Sequence, residues 1–165
     1  MSKYPKNIKP PKRWHMLMEP FGFISMPMLL LQYPALMKLP QGNGEPVMLL
    51  PGFTWDDKAL YLMRRFLKRK GYNAMGWGLG VNNGNVETTL PKVLDRVKRM
   101  VDKYQQPINM VGWSLGGYLS REAARDEPEL VKQVITFGSP VIGGPKYTTV
   151  AKSYADLGFD VDRIE

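Results

Sequence analysis

The sequence predicts an α/β protein of three layers, α/β/α, built around a mostly parallel sheet. Three observations carry this. Short apolar segments alternate with amphipathic helical ones three times between residues 47 and 137. The apolar segments lack an in–out alternation, as strands covered on both faces do. Clusters of glycine, proline and asparagine separate one segment from the next. Together these give parallel strands joined by right-handed crossovers.

The elements follow in order. Met1 to Trp14 reads as a basic arm, with Lys3, Lys6, Lys9, Lys12 and Arg13 set among Pro5, Pro10 and Pro11. The longest uncharged run is Pro20–Met37, interrupted by Pro27 and Pro34. It falls short of the ~18 unbroken apolar residues of a membrane span, and no signal-peptide pattern precedes a small-residue cleavage site. A soluble, cytoplasmic protein is the default; the Phe21–Met37 stretch packs in a core or forms an apolar lip, and peripheral membrane contact stays open. Gln41–Pro46 is a turn cluster, and Val47–Leu50 a buried strand stopped by Pro51-Gly52. Asp56 or Asp57 caps a helix to about Lys70, whose apolar positions are Ala59, Leu60, Met63, Phe66 and Leu67; Gly71 stops it. Tyr72–Trp77 is a second strand and Gly78–Asn85 a loop. A long helix follows, capped by Thr88 or Thr89, with Pro91 in its first turn. Its stripe is Leu90, Val93, Leu94, Val97, Met100, Val101 and Tyr104. Ile108–Val111 is a third strand, Leu115 to about Asp126 a helix, and Val131–Phe137 a fourth strand.

Composition narrows the chemistry. The 165 residues include no cysteine and one histidine, His15. That excludes disulfides, thiolate metal sites and cysteine nucleophiles, and it excludes His-rich zinc clusters. Any catalytic base is His15 or a residue of another type. Lys and Arg number 23 against 15 Asp and Glu, a net +8. The basic residues sit mostly on the polar sides of helices, so the charge reads as a solvated surface plus a basic arm. No aromatic–basic interleaving or nucleic-acid motif accompanies it, and no nucleic-acid partner is expected.

One motif carries chemistry. The third strand runs into Gly112-Trp113-Ser114-Leu115-Gly116-Gly117, with a helix after it. This is G-x-S-x-G in the strand–turn–helix setting that the motif requires. A nucleophile on so sharp a turn needs small residues two before and two after it, and Gly112 and Gly116 supply them. Gly117 lets the helix approach the strand. Ser114 Oγ then stands at a helix N-terminus, where negative charge is favoured. The Leu115 N–H is one oxyanion donor. The spacing is neither a dinucleotide fingerprint nor a phosphate-binding P-loop, and no cofactor or metal is expected.

With these residues the chain resembles the α/β-hydrolase superfamily, in particular its lipase- and esterase-like members. The resemblance covers about residues 45–145 and rests on Leu49-Leu-Pro-Gly-Phe53, on the Gly112–Gly117 elbow and on Phe137-Gly-Ser-Pro140. It implies a partial α/β-hydrolase fold. Residues 1–40 then form an arm and apolar segment, 41–145 the N-terminal part of the hydrolase core, and 146–165 the start of a lid or cap. It also implies a serine hydrolase of carboxylic or lipid esters, working through an acyl-enzyme at Ser114. By position in the family, the second oxyanion N–H falls to Phe53 or its neighbour Thr54. The Phe137–Pro145 segment lines the pocket mouth, with Ser139 a turn residue. Trp113 and Trp77 wall the pocket or fill the core.

The family orders its triad Ser, then Asp or Glu, then His. No histidine follows Ser114 in this sequence. Asp156, Asp160 and Asp162 are acids only by default and read as solvated lid residues; His15 would have to fold back over the elbow. The expectation is a chain cut within the cap, with weak or no turnover by itself. Two alternatives stay open, an inactive binding module of the same fold and an acyltransferase. An uncovered sheet edge at Val134–Phe137 would favour self-association.

Overall fold

A computed structural model describes residues 25–139. The basic arm with His15, the segment after Ser139, and Asp156, Asp160 and Asp162 lie outside the described residues. Among the described residues, 41–139 fall in one compact unit. Helix α1 (Ser25–Met37) lies outside that unit and is described by itself. The two prolines do not break it. Pro27 falls in the first turn, where an N–H has no intrahelical acceptor. Pro34 is interior and removes one intrahelical bond. Met28 and Leu31 are exposed.

The compact unit contains β1 (Pro46–Leu50), α2 (Tyr61–Arg69), β2 (Asn73–Gly76), α3 (Val86–Tyr104), β3 (Ile108–Trp113), α4 (Leu115–Asp126), a 3-10 turn (Pro128–Leu130) and β4 (Val131–Phe137). The strands make one sheet in the order β2-β1-β3-β4, with every pairing parallel. The β3–β4 ladder carries one irregularity, where Lys132 is passed over between the Ile108–Val131 and Asn109–Gln133 pairs. β1 is buried along its full length, as the central position of an apolar strand demands. β2 and β4 are the two edge strands among the described residues, and Ile135 and Phe137 on β4 are exposed.

Right-handed crossovers put α2 on one face and α3 and α4 on the other. The first face buries Val47, Leu49, Ala74 and Val111 under Leu60, with Met63 and Leu67 of α2 packed against them. Strand alternation turns Met48, Leu50 and Met110 to the opposite face. There α3 supplies Val93, Val97 and Met100, α4 supplies Leu119 and Ala123, and the two helices touch. Each of the valine, leucine and methionine side chains contributes ~1.5–3 kcal/mol when fully buried.

Helix starts differ from the sequence reading. α2 begins at Tyr61, and neither Asp56 nor Asp57 caps it. Asp56 Oδ1 accepts from Lys58 N–H in a turn (2.8 Å). Asp57 spends both carboxylate oxygens on the Trp77 and Gly78 amides, at 2.9 and 3.1 Å. α2 ends as expected at Gly71 (φ 85°), where Gly71 N–H donates to Lys68 O and Tyr72 N–H to Leu67 O, both at 3.1 Å; this paired closure is the Schellman arrangement. α3 is capped by Asn85 rather than a threonine, its side chain accepting from Thr88 N–H at 3.0 Å. Pro91 consequently lies inside the helix, beyond its first turn.

Candidate active site

The site forms where the strand order reverses. β1 feeds β2 on one side, β3 lies on its other side, and the loops leaving β1 and β3 diverge there. Open parallel sheets bind ligands in such crevices, at the carboxyl ends of strands.

Ser114 stands on the turn between β3 and α4 with φ 51° and ψ −120°. It is one of three non-glycine residues at positive φ among those described, with Thr54 (65°) and Gln105 (54°). Such a backbone costs about 1–3 kcal/mol and persists only where its surroundings fix it. Here they do. Ser114 N–H donates to Phe137 O at the end of β4 (3.0 Å), and Ser114 O accepts from Gly117 N–H (2.9 Å). The glycines are close-approach positions. A Cβ on Gly112 would collide with the backbone of Gly116 and Gly117; one on Gly116 would strike the carbonyls of Leu50 and Pro51; one on Gly117 would meet the Ser139 side chain.

The loop after β1 lies directly against the serine. A Cβ on Gly52 would sit 3.3 Å from Ser114 Cβ and 3.5 Å from the Trp113 ring. Phe53 is buried. Thr54 N–H donates to Asn82 O at 2.7 Å. Leu115 N–H is the first of the amides that helix α4 leaves without an intrahelical acceptor. Phe53 thus lies in the loop after β1, Ser114 on the turn beyond β3 and Leu115 at the first position of α4. Ser139 donates to Phe137 O at 3.4 Å.

Of the tryptophans, Trp77 is a core residue. It is 1% exposed, and its Nε1–H donates to Gly80 O at 3.0 Å. Trp113 is half-buried beside Gly52 and Gly138, with the exposed Trp55 ring 5.8 Å away. Among the described residues Ser114 Oγ makes no hydrogen bond. Nor do they include a group of three or more His, Asp or Glu able to hold a metal ion.

Two features escaped the sequence reading: Asn82, which ties the loops after β1 and β2, and the exposed Trp55 beside Trp113. The only sequence signal for Asn82 was its place in an asparagine- and glycine-rich loop.

The family model of the alpha/beta hydrolase fold matches residues 49–157. The chain belongs to this family. Solved structures agree on the fold. A lipase from Bacillus licheniformis, in its propeptide form, aligns with a TM-score of 0.56 at 19% identity, over 77% of this chain and 30% of that one. The mature form gives 0.54 at 18%, over 77% and 56%. A monoacylglycerol lipase from Paleococcus ferrophilus gives 0.50 at 16%, over 69% and 48%. The chain thus spans less than two thirds of each of these proteins. Comparison with curated proteins gives no match.

Proposed function

We propose that this chain carries the nucleophile-bearing part of a serine hydrolase acting on carboxylic or lipid esters. One observation supports it above the others: Ser114 is held at φ 51° at the start of α4, with the Gly52-Phe53 loop laid against it. In the reaction Ser114 Oγ attacks the ester carbonyl carbon and gives its proton to a base. The Leu115 and Phe53 amides hydrogen-bond the oxyanion that develops. The carbonyl re-forms, the alcohol leaves with a proton, and water then releases the acid from the acyl-serine. Among the described residues none is hydrogen-bonded to Ser114 Oγ. A triad enzyme stripped of its base retains only ~10³–10⁴-fold acceleration over water. The apolar Trp55 and Trp113 beside the serine suit an acyl chain.

The test is a fluorophosphonate probe at alkaline pH, where hydroxide substitutes for the base. Ser114 labels, and Ser114→Ala does not. Equal labelling of the two proteins would overturn the assignment. A second reading, a binding module without turnover, draws on the lack of a hydrogen bond at Ser114 Oγ among the described residues. It requires tight binding of an ester or fatty acid with no probe reaction. Acyl transfer is separated from hydrolysis by product analysis with an added alcohol.

A further inference from the structure

The loop after β1 has little regular structure to hold it. It begins at Pro51 and Gly52, includes a non-glycine residue at positive φ, Thr54, and leads through Trp55 to Asp57. Yet it must keep a fixed place over Ser114. Asn82, in the loop after β2, makes four hydrogen bonds that together account for this. Its backbone carbonyl accepts from Thr54 N–H (2.7 Å), and its backbone N–H donates to Trp55 O (2.9 Å). Its side-chain Nδ2 donates to Pro51 O (2.9 Å), and its Oδ1 accepts from Gly84 N–H (3.2 Å). Asn82 is 1% exposed. A second tie, from the Asp57 carboxylate to the Trp77 and Gly78 amides, holds the far end of the same loop.

We infer that Asn82 is a positioning residue for the oxyanion site. Its amide holds Pro51, and with it the Gly52-Phe53 backbone, in register with Ser114. Only an asparagine-like side chain serves, because one atom must donate to Pro51 O while the other accepts from Gly84 N–H. Leucine has the volume but neither polar atom; aspartate has the shape and the acceptor but, when ionised, no donor. This inference rests on the serine-nucleophile reading above.

The isosteric variant Asn82→Asp isolates the single bond to Pro51 O. The full chain is compared with wild type by amide hydrogen exchange and by fluorophosphonate labelling. In the variant the Phe53–Trp55 amides exchange at least tenfold faster, while those of β1 and β3 keep wild-type rates. Labelling of Ser114 slows about ten- to hundredfold, less than the ~10²–10³ of deleting an oxyanion donor outright. As pH falls through the titration of the introduced carboxyl, the exchange difference from wild type closes, because a protonated carboxyl can donate to Pro51 O as the amide does. Asn82→Ser, which cannot reach Pro51 and adds no charge, shows the same loss without the acid rescue, and serves if the aspartate variant fails to fold. Unchanged loop exchange overturns the inference. So does faster loop exchange with labelling at the wild-type rate, or a uniform rise in exchange across β1 and β3. If wild type and Ser114→Ala react alike, the nucleophile reading falls, and the loop exchange still decides whether Asn82 is the anchor.

Discussion

At Ser114 a serine occupies a backbone conformation that glycine adopts without cost. Ser114→Gly should therefore raise stability by about 1 kcal/mol, the strain of ~1–3 kcal/mol less the ~0.5–1 kcal/mol of added chain entropy, while ending probe reaction. Denaturant unfolding beside labelling checks both at once. The reverse case is Gly116, whose missing Cβ leaves room for the Leu50 and Pro51 carbonyls. These are backbone atoms with no rotamer to change. Gly116→Ala should cost about 1–3 kcal/mol and displace the elbow, seen as a lower unfolding midpoint and lost labelling. The G-x-S-x-G pattern was legible because the sharp turn itself demands small residues: Gly112 clears space for Gly116 and Gly117 within one turn, even though Gly116 also makes room for the end of β1. Thr54 and Asn82 were not, since their conformation and bonds exist only when two loops from different crossovers meet.

The helices show where local rules lose to tertiary partners. Asp57 looked like a cap for α2, but its carboxylate gains two amide donors at the end of β2. Asn85 displaces the threonines at the start of α3, and Asn85→Ala should cost about 1 kcal/mol, measured by thermal unfolding. α3 is also joined to the end of α4 by Lys98 and Glu127, 2.8 Å apart. The hydrogen bond from Lys98 holds the Glu127 carboxyl below its ordinary 4.5, and the same bond raises Lys98 above 10.5. The glutamate's contribution is complete above pH 4.5 and fades as acid carries the pH through its lower folded value. The lysine's is complete below 10.5 and fades as the pH rises through its higher one. Glu127→Gln should flatten the acid limb of a stability–pH curve, with a small effect because both groups face solvent. Helix existence and end signals were readable from spacing and from Gly71; the starts were not, because each depends on which polar group outbids its neighbours for the first amides.

Across the whole molecule, the alternation of strands and helices identified a parallel sheet correctly, and the elbow puts Ser114 at the sheet's carboxyl edge. The strand order could not be read from periodicity, which is blind to which strand lies beside which. Among the described residues β4 lies at one edge of the sheet and exposes Ile135, at 48%, and Phe137, at 36%. Such an edge offers unpaired backbone groups and apolar surface together. Sedimentation should show association that grows with concentration, and Ile135→Lys should shift the protein toward monomer; a wild-type monomer at every concentration would count against it. The tilted pair of Trp55 and Trp113 rings has a different consequence. With centroids 5.8 Å apart and planes at 48°, their transition dipoles are close enough to couple and far enough from parallel to generate optical activity. One ring rides on the loop that covers the serine and the other sits next to the serine in the chain. The near-ultraviolet circular dichroism of this pair is therefore a built-in gauge of loop position, readable in solution without a label or a substrate.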